Sequence, residues 1–166
     1  MAFNEDNWVK IPALVHLTRL GYVYFSLKDK IYDFEPETNI IKNIFFKQVQ
    51  KLNPEATVDD IAQELQNIRD ELNFDDLGRA FYKRLIGKGD GNLKLVDWDN
   101  FNNNTFHNTT ELTNKNGEDE FRPDITVFIN GLPLAFIEVK KPNNQEGIKA
   151  ERDRIHARFK NEKFSR

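Results

Sequence analysis

Residues 122–142 read RPDITVFINGLPLAFIEVKKP, and this segment decides the fold. Two apolar runs flank Asn130-Gly131, a dipeptide typical of tight turns between antiparallel strands. The pattern predicts strands over 124–130 and 133–140. Charged residues stand at the ends of these strands, where burial of an unpaired charge is energetically unfavourable. We therefore predict a functional site formed by three residues: Asp124, Glu138 and Lys140.

The length of the turn decides whether these three residues meet. A two-residue turn pairs Ile129 with Leu132 and puts Asp124 on the opposite side of the hairpin from Glu138. A three-residue turn shifts the pairing by one residue and places Asp124 directly across from Glu138. Only the second register predicts a site.

In that register the two carboxylates lie about 5 Å apart, since they are cross-strand neighbours. Their mutual repulsion raises the pKa of one of them unless a cation lies between them. Two carboxylates, waters and a substrate phosphate suit the octahedral, oxygen-rich coordination of Mg²⁺, with Mn²⁺ as a substitute. Lys140 is a compact cation that can stabilise the charge developing on phosphorus during hydrolysis.

Composition predicts one domain over residues 1–166 with a sizeable core. The chain has no cysteine, which excludes disulfides and thiolate metal sites and favours a cytoplasmic location. It also has no apolar run long enough to cross a membrane, and residues 1–10 lack the basic start and apolar middle typical of a signal peptide.

The charge is unevenly distributed along the chain. The net charge is −3, which argues against a protein that coats nucleic acid with its whole surface. Residues 140–166, however, carry nine Lys and Arg against four acids. This basic segment is either a solvated helix face or a phosphate-binding surface.

Apolar periodicity predicts helices before the hairpin and one after it. The predicted helices are one entered through Pro12 and capped by Gly21, one over 39–52, one capped by Thr57, one from Asp75 or Asp76, and one from Gly147 to the end of the sequence. LKLVDW (93–98) is predicted as a strand, and 101–112 as a loop leading into an exposed strand. GKGDGN (87–92) lacks a phosphate-loop spacing and is predicted to be a turn. The fold class is therefore α/β, a mixed central sheet flanked by helices.

Asp124 after Pro123, followed across a hairpin by Glu138-Val139-Lys140, resembles the PD-(D/E)xK nuclease signature. The longer segment 122–143 is similar to the N-terminal nuclease domain of the restriction subunit of type I restriction-modification enzymes. LTRLGYVY (17–24) resembles an early Leu-Gly-Tyr element of that family.

This resemblance implies a restriction-endonuclease-like fold and a Mg²⁺-dependent endonuclease acting on double-stranded DNA. Asp124 and Glu138 match the metal-binding acids, and Lys140 matches the catalytic amine. The resemblance also implies a bacterial or archaeal cytoplasmic protein whose longer chain carries ATP-driven translocase domains. Methylation and specificity subunits would be its partners.

The last helix departs from the family pattern, because 147–160 contains no Gln-x-x-x-Tyr pair. Basic residues are predicted as DNA contacts in its place: Lys141, Lys149, Arg152, Arg154 and Arg158. Two other hypotheses remain open at this stage. One is a catalytically silent docking or DNA-binding module on a nuclease fold, and the other is a related repair or resolvase nuclease.

Overall fold

The protein is described here from a computed structural model over residues 9–89, 91–116, 119–140 and 145–160, and these residues form five α-helices, one short 3₁₀ helix and six strands. The helices are α1 (Ile11–Arg19), α2 (Lys42–Leu52), α3 (Val58–Leu72), α4 (Arg79–Leu85) and α5 (Gln145–Lys160). The strands are β1 (Val23–Tyr24), β2 (Phe106–Thr110), β3 (Asn114–Asn116), β4 (Asp119–Phe121), β5 (Ile125–Ile129) and β6 (Leu132–Ile137).

The main sheet has the strand order β1-β2-β5-β6, and β3 and β4 form a separate hairpin. β1 pairs with β2 in parallel, whereas β2, β5 and β6 are antiparallel, so the sheet is mixed. The α/β class with a mixed sheet flanked by helices is confirmed.

Alternate residues of β5 pack against different helices. Ile125 and Val127 are buried with Leu17 of α1. Phe128 is fully buried beside Ile41, which directly precedes α2. Because side chains alternate along a strand, this packing fixes which residues face which layer.

The helix predictions hold, with small shifts of their bounds. Pro12 lies in the first turn of α1, and Gly21 follows that helix with a φ of 95°. Thr57 and Asp60 form the predicted capping box of α3. α4 begins at Arg79, three residues after Asp76, whose carboxylate accepts the first free backbone N–H groups of the helix. The predicted helix after Gly147 is α5, and residues 161–166 lie outside the described part of the chain.

The strand predicted over 93–98 is wrong, whereas the strand predicted within 101–112 is present as β2 but is not exposed. Residues 93–98 form no strand, because side chains rather than a neighbouring strand bind their backbone groups. Asn53 binds the backbone N–H and carbonyl of Lys94, and Asn130 donates to the carbonyl of Leu95. β2 is not exposed but lies inside the sheet, where Asn108 and Thr109 are fully buried.

The hairpin resolves the register question in a way that the sequence pattern did not predict. Asn130 and Gly131 form a two-residue turn with φ values of 52° and 84°, and Ile129 pairs with Leu132. The three-residue turn is therefore wrong. A register shift between Val127 and Phe128 then inserts one extra residue on β6, so that Ile125 pairs with Ile137. The ends of the strands thus have the register that places Asp124 opposite Glu138.

Neighbouring groups hold the turn tightly. The N–H of Ile41 donates to the carbonyl of Gly131 over 2.9 Å. Asn130 is fully buried and accepts the N–H of Thr105 on its side-chain oxygen over 2.8 Å. Pro133 follows at the bulge of β6, an edge strand among the described elements, where a missing N–H is tolerated.

None of the helices in the described ranges is both long enough and apolar enough to cross a membrane.

Gly131→Ala is expected to destabilise the protein by about 2–4 kcal/mol, because the left-handed φ disfavours a side chain and the new Cβ meets backbone atoms. That Cβ would lie 2.7 Å from the carbonyl oxygen of Ile41. Gly87→Ala is the matched control, since Gly87 has a φ of 71° but open space at its Cβ position. It should cost only about 1–2 kcal/mol. Urea unfolding measures both, and equal losses would contradict the assigned packing of the turn.

Candidate active site

Asp124 and Glu138 meet where β5 begins and β6 ends. The backbone N–H of Val139 donates to Oδ2 of Asp124 over 3.0 Å, which fixes the orientation of the aspartate carboxylate. The Glu138 side chain is only 8% exposed and that of Asp124 is 24% exposed. Both carboxyl groups are therefore largely shielded from water, and a hydrogen bond joins them.

Burial, a hydrogen bond to Asp124 and the charge of Asp124 raise the pKa of Glu138 to about 7. Burial also acts to raise the pKa of Asp124. The Val139 N–H, the bond from Glu138 and the nearby Lys10 outweigh that effect, so the pKa of Asp124 falls below its usual value. Below about pH 7 the pair therefore carries one proton, which resides mainly on Glu138.

When both carboxyl groups are ionised, one of their oxygens lacks a hydrogen-bond partner among the described residues. Oε1 of Glu138 is buried and has no hydrogen-bond partner among the described residues. Two ionised carboxylates cannot hydrogen-bond each other, because both are acceptors only. The pair therefore requires either a shared proton or a cation, and this requirement fits a divalent ion.

No group of three His, Asp or Glu side chains in the described ranges is arranged to hold a metal. An ion at this site would therefore rest on the two carboxylates, with its other positions open to water or substrate oxygens. That ligand set suits Mg²⁺, which commonly uses one or two carboxylates and keeps several waters.

Lys10, which the sequence pattern did not reveal, also reaches the site. Its Nζ lies 3.1 Å from Oε1 of Glu111 and 3.4 Å from Oδ1 of Asp124, and its side chain is 11% exposed. Glu111 follows β2 directly, and its N–H donates to the Asp124 carbonyl over 3.2 Å. Lys10 is far from Asp124 in sequence, so no local spacing signal could have paired them.

Lys140 forms an ion pair with a residue of α5. Its Nζ lies 3.3 Å from Oε2 of Glu151, a residue that the sequence analysis counted only as one acid of the basic segment. Arg154 donates from Nε to Oε1 of Glu151 over 2.8 Å, and its Nη2 also contacts that oxygen. The same Nη2 lies 3.9 Å from Oε2 of Glu138. Glu151 and Arg154 of α5 thus link Lys140 to Glu138, which meets Asp124.

The predicted DNA contacts divide into three groups. Lys149 and Arg152 are exposed on α5, and Arg152 lies 3.8 Å from Asp153. Arg154 is half-exposed, and its guanidinium is directed at Glu151. Lys141 lies outside the described residues, as does the side chain of Arg158.

An apolar cleft of about 440 Å³ lies against β6 and α5, and Phe121, Phe136 and Ile155 are among its lining residues. None of the acidic or basic residues of the candidate site lines it. The carboxyl pair therefore lies at the end of the hairpin and not inside the cleft.

Comparison with known proteins gives a consistent result. Residues 2–165 match the family model described as the type I restriction enzyme R protein N terminus. A protein of Methanocaldococcus jannaschii, described as the endonuclease subunit of the type I restriction enzyme MjaIXP, is 32% identical over 88% of this chain. The endonuclease subunit of the type I restriction enzyme HindI of Haemophilus influenzae is 28% identical over 83% of the chain.

The chain spans only 16% and 15% of the lengths of these two relatives. No solved structure matches it significantly. The family match nevertheless extends over nearly all of the sequence, including the whole of the hairpin formed by β5 and β6. The chain therefore belongs to the family formed by the N-terminal region of the R protein of type I restriction enzymes.

Proposed function

We propose that this chain is a metal-dependent endonuclease domain with a PD-(D/E)xK-type fold, which hydrolyses phosphodiester bonds of double-stranded DNA. It would act within a type I restriction complex, beside methylation and specificity subunits. The full-length protein would also carry ATP-driven translocase domains. Family membership supports this assignment, as do the endonuclease names of the relatives.

One observation carries the proposal: two acids at the ends of adjacent strands meet in a position shielded from water. Oε1 of Glu138 is buried with no partner among the described residues, which favours a role in binding an ion over a purely structural one. Leaving a buried charged group unsatisfied is costly, and structures retain such groups mainly where they bind or react.

Asp124 and Glu138 would hold the divalent cation. When bound, Mg²⁺ or Mn²⁺ polarises a phosphoryl oxygen and makes a coordinated water more acidic. The Val139 N–H keeps Asp124 oriented, so the carboxylate needs little reorganisation to bind the ion. Lys10 neutralises part of the negative charge on the opposite side of Asp124.

Lys140 supplies positive charge next to the acids. Its ammonium group can donate to the attacking water or to a phosphate oxygen whose charge increases as the phosphodiester bond breaks. Lys149 and Arg152 would contact the DNA backbone from the exposed side of α5. These contacts would provide affinity without sequence preference, since phosphate contacts carry no base information.

Asp124→Asn, Glu138→Gln or Lys140→Ala, each placed in the complete restriction complex, should reduce DNA cleavage by at least about 100-fold, because each removes charge stabilisation at the reacting phosphate. ATP hydrolysis and translocation should persist. Lys115→Ala is a matched control, since Lys115 is mostly exposed and does not contact the site. Cleavage at the normal rate in the Asp124 and Lys140 variants would refute the assignment.

Calorimetric titration with Mn²⁺ separates a nuclease site from a silent docking module. We expect one ion to bind the chain, and binding to weaken by at least about tenfold in Glu138→Gln, since loss of a ligand or its support has effects of this size. A docking module has no reason to bind the ion at this position. Equal binding by the parent protein and the Glu138→Gln variant would favour the docking alternative.

The raised pKa of Glu138 predicts a pH dependence. The metal must displace the proton from Glu138, so Mn²⁺ affinity should fall as the pH decreases through about 7. Without metal, the folded state binds this proton more tightly than the unfolded state. Stability should therefore decline as the pH rises from the ordinary value of 4.5 to about 7.

Thermal unfolding between pH 4.5 and 7.5, with and without Mn²⁺, measures the stability effect. Glu138→Gln cannot lose the proton and should not show the Glu138 part of the decline. The same decline in the variant would assign the pH dependence to other groups.

A further inference from the structure

Glu151 of α5 contacts two cations, Lys140 and Arg154, at the end of the hairpin. Its side chain is 12% exposed, its Oε2 faces Lys140 at 3.3 Å, and its Oε1 accepts two donors of Arg154. Both oxygens of this largely shielded carboxylate thus bind a cation. Glu151 is not a solvated helix residue, although its neighbour Asp153 is 59% exposed.

These contacts have a consequence for Glu138. Arg154 Nη2 lies 3.9 Å from Oε2 of Glu138, too far for a hydrogen bond, while the donors of its guanidinium are directed at Glu151. A guanidinium prefers to bind a carboxylate through two parallel donors. If Glu151 did not accept these donors, Glu138 would be the nearest other carboxylate among the described residues.

We propose that Glu151 is a positioning residue that holds Arg154 away from Glu138 and anchors Lys140. By accepting the Arg154 donors, it leaves the Glu138 carboxylate available to a divalent cation. This inference rests on the proposed function, since it concerns the same metal site. It assigns to α5 a specific role in preparing that site, in addition to any contact with DNA.

The positioning role differs from a simple effect of charge. If Glu151 acted only through its negative charge, Glu151→Gln and Arg154→Gln would change metal affinity by similar amounts in opposite directions. If it acts by holding Arg154, the Arg154→Gln change should have little effect while Glu151 is present. The double variant should then recover the affinity that Glu151→Gln loses. Non-additivity of this kind measures coupling between neighbouring residues.

The test is a Mn²⁺ titration of the parent chain, Glu151→Gln, Arg154→Gln and the double variant. We expect Glu151→Gln to weaken binding about tenfold or more, as is usual when a residue supporting a metal ligand is lost. Arg154→Gln should change affinity by less than about twofold on the same argument, and the double variant should bind nearly as well as the parent. Unchanged affinity in Glu151→Gln, or additive and opposite effects, would overturn the proposal.

A further variant, Glu151→Asp, keeps the negative charge at this position. Its shorter side chain withdraws the acceptor from Arg154, so Mn²⁺ affinity should again fall, and normal affinity would count against the positioning role. Asp153→Asn on the same helix should bind as the parent does, because Asp153 does not contact the site. Circular dichroism verifies that each variant is folded, and Glu151→Asp replaces Glu151→Gln in the comparison if the latter does not fold.

The cleavage rate tests the second contact of Glu151. In the complete complex, the double variant should recover metal binding but not cleavage, because Lys140 remains without its anchor. Full recovery of cleavage would overturn the part of the proposal that concerns Lys140. Failure of the proposed function is recognised separately: Asp124→Asn would then bind Mn²⁺ as the parent does, or the parent would bind none.

Discussion

The rest of the site depends on the contact between two carboxyl groups that cannot both remain ionised without a counter-charge. Asp124 and Glu138 lie side by side with little access to water, so repulsion and desolvation act on both. The surrounding cations stand at different distances: Lys10 contacts Asp124, whereas Arg154 stays beyond hydrogen-bond reach of Glu138. One carboxylate is thereby satisfied by the protein, and the other is left to a proton or an added ion.

The position of this pair is set at the far end of the same hairpin. Gly131 is in contact with the residues that begin α2, and the buried Asn130 side chain binds the segment before β2. These contacts fix the turn against the core, while α1 and α2 pack against alternate residues of β5. A rigid hairpin of this kind can hold two charged groups together, because neither strand can slide to relieve the repulsion.

Local sequence patterns predicted the helices and the hairpin, since periodicity, capping and turn residues are local signals. The roles of Asp124, Glu138 and Lys140 stay a prediction. The local patterns failed where distant groups decide the structure. The segment 93–98 has strand-like residues, but Asn53 and Asn130 bind its backbone groups. The contact of Lys10 with Asp124 depends on tertiary packing and leaves no trace in residue spacing. The DNA contacts on α5 remain a prediction.

Because of the bulge on β6, the geometry of the turn and the pairing at the open end of the hairpin can be set independently. In a regular pair of antiparallel strands, an even or odd number of turn residues decides which residues share a face at the open end of the hairpin. Here the turn keeps the two-residue Asn-Gly geometry that strand twist favours. One extra residue on β6 then shifts the pairing by one position before the strands end. Motif spacing therefore constrains only the combined length of turn and bulge. A relative with a three-residue turn and a regular strand would present the same acids at the same sequence spacing, so the spacing alone does not distinguish the two kinds of hairpin.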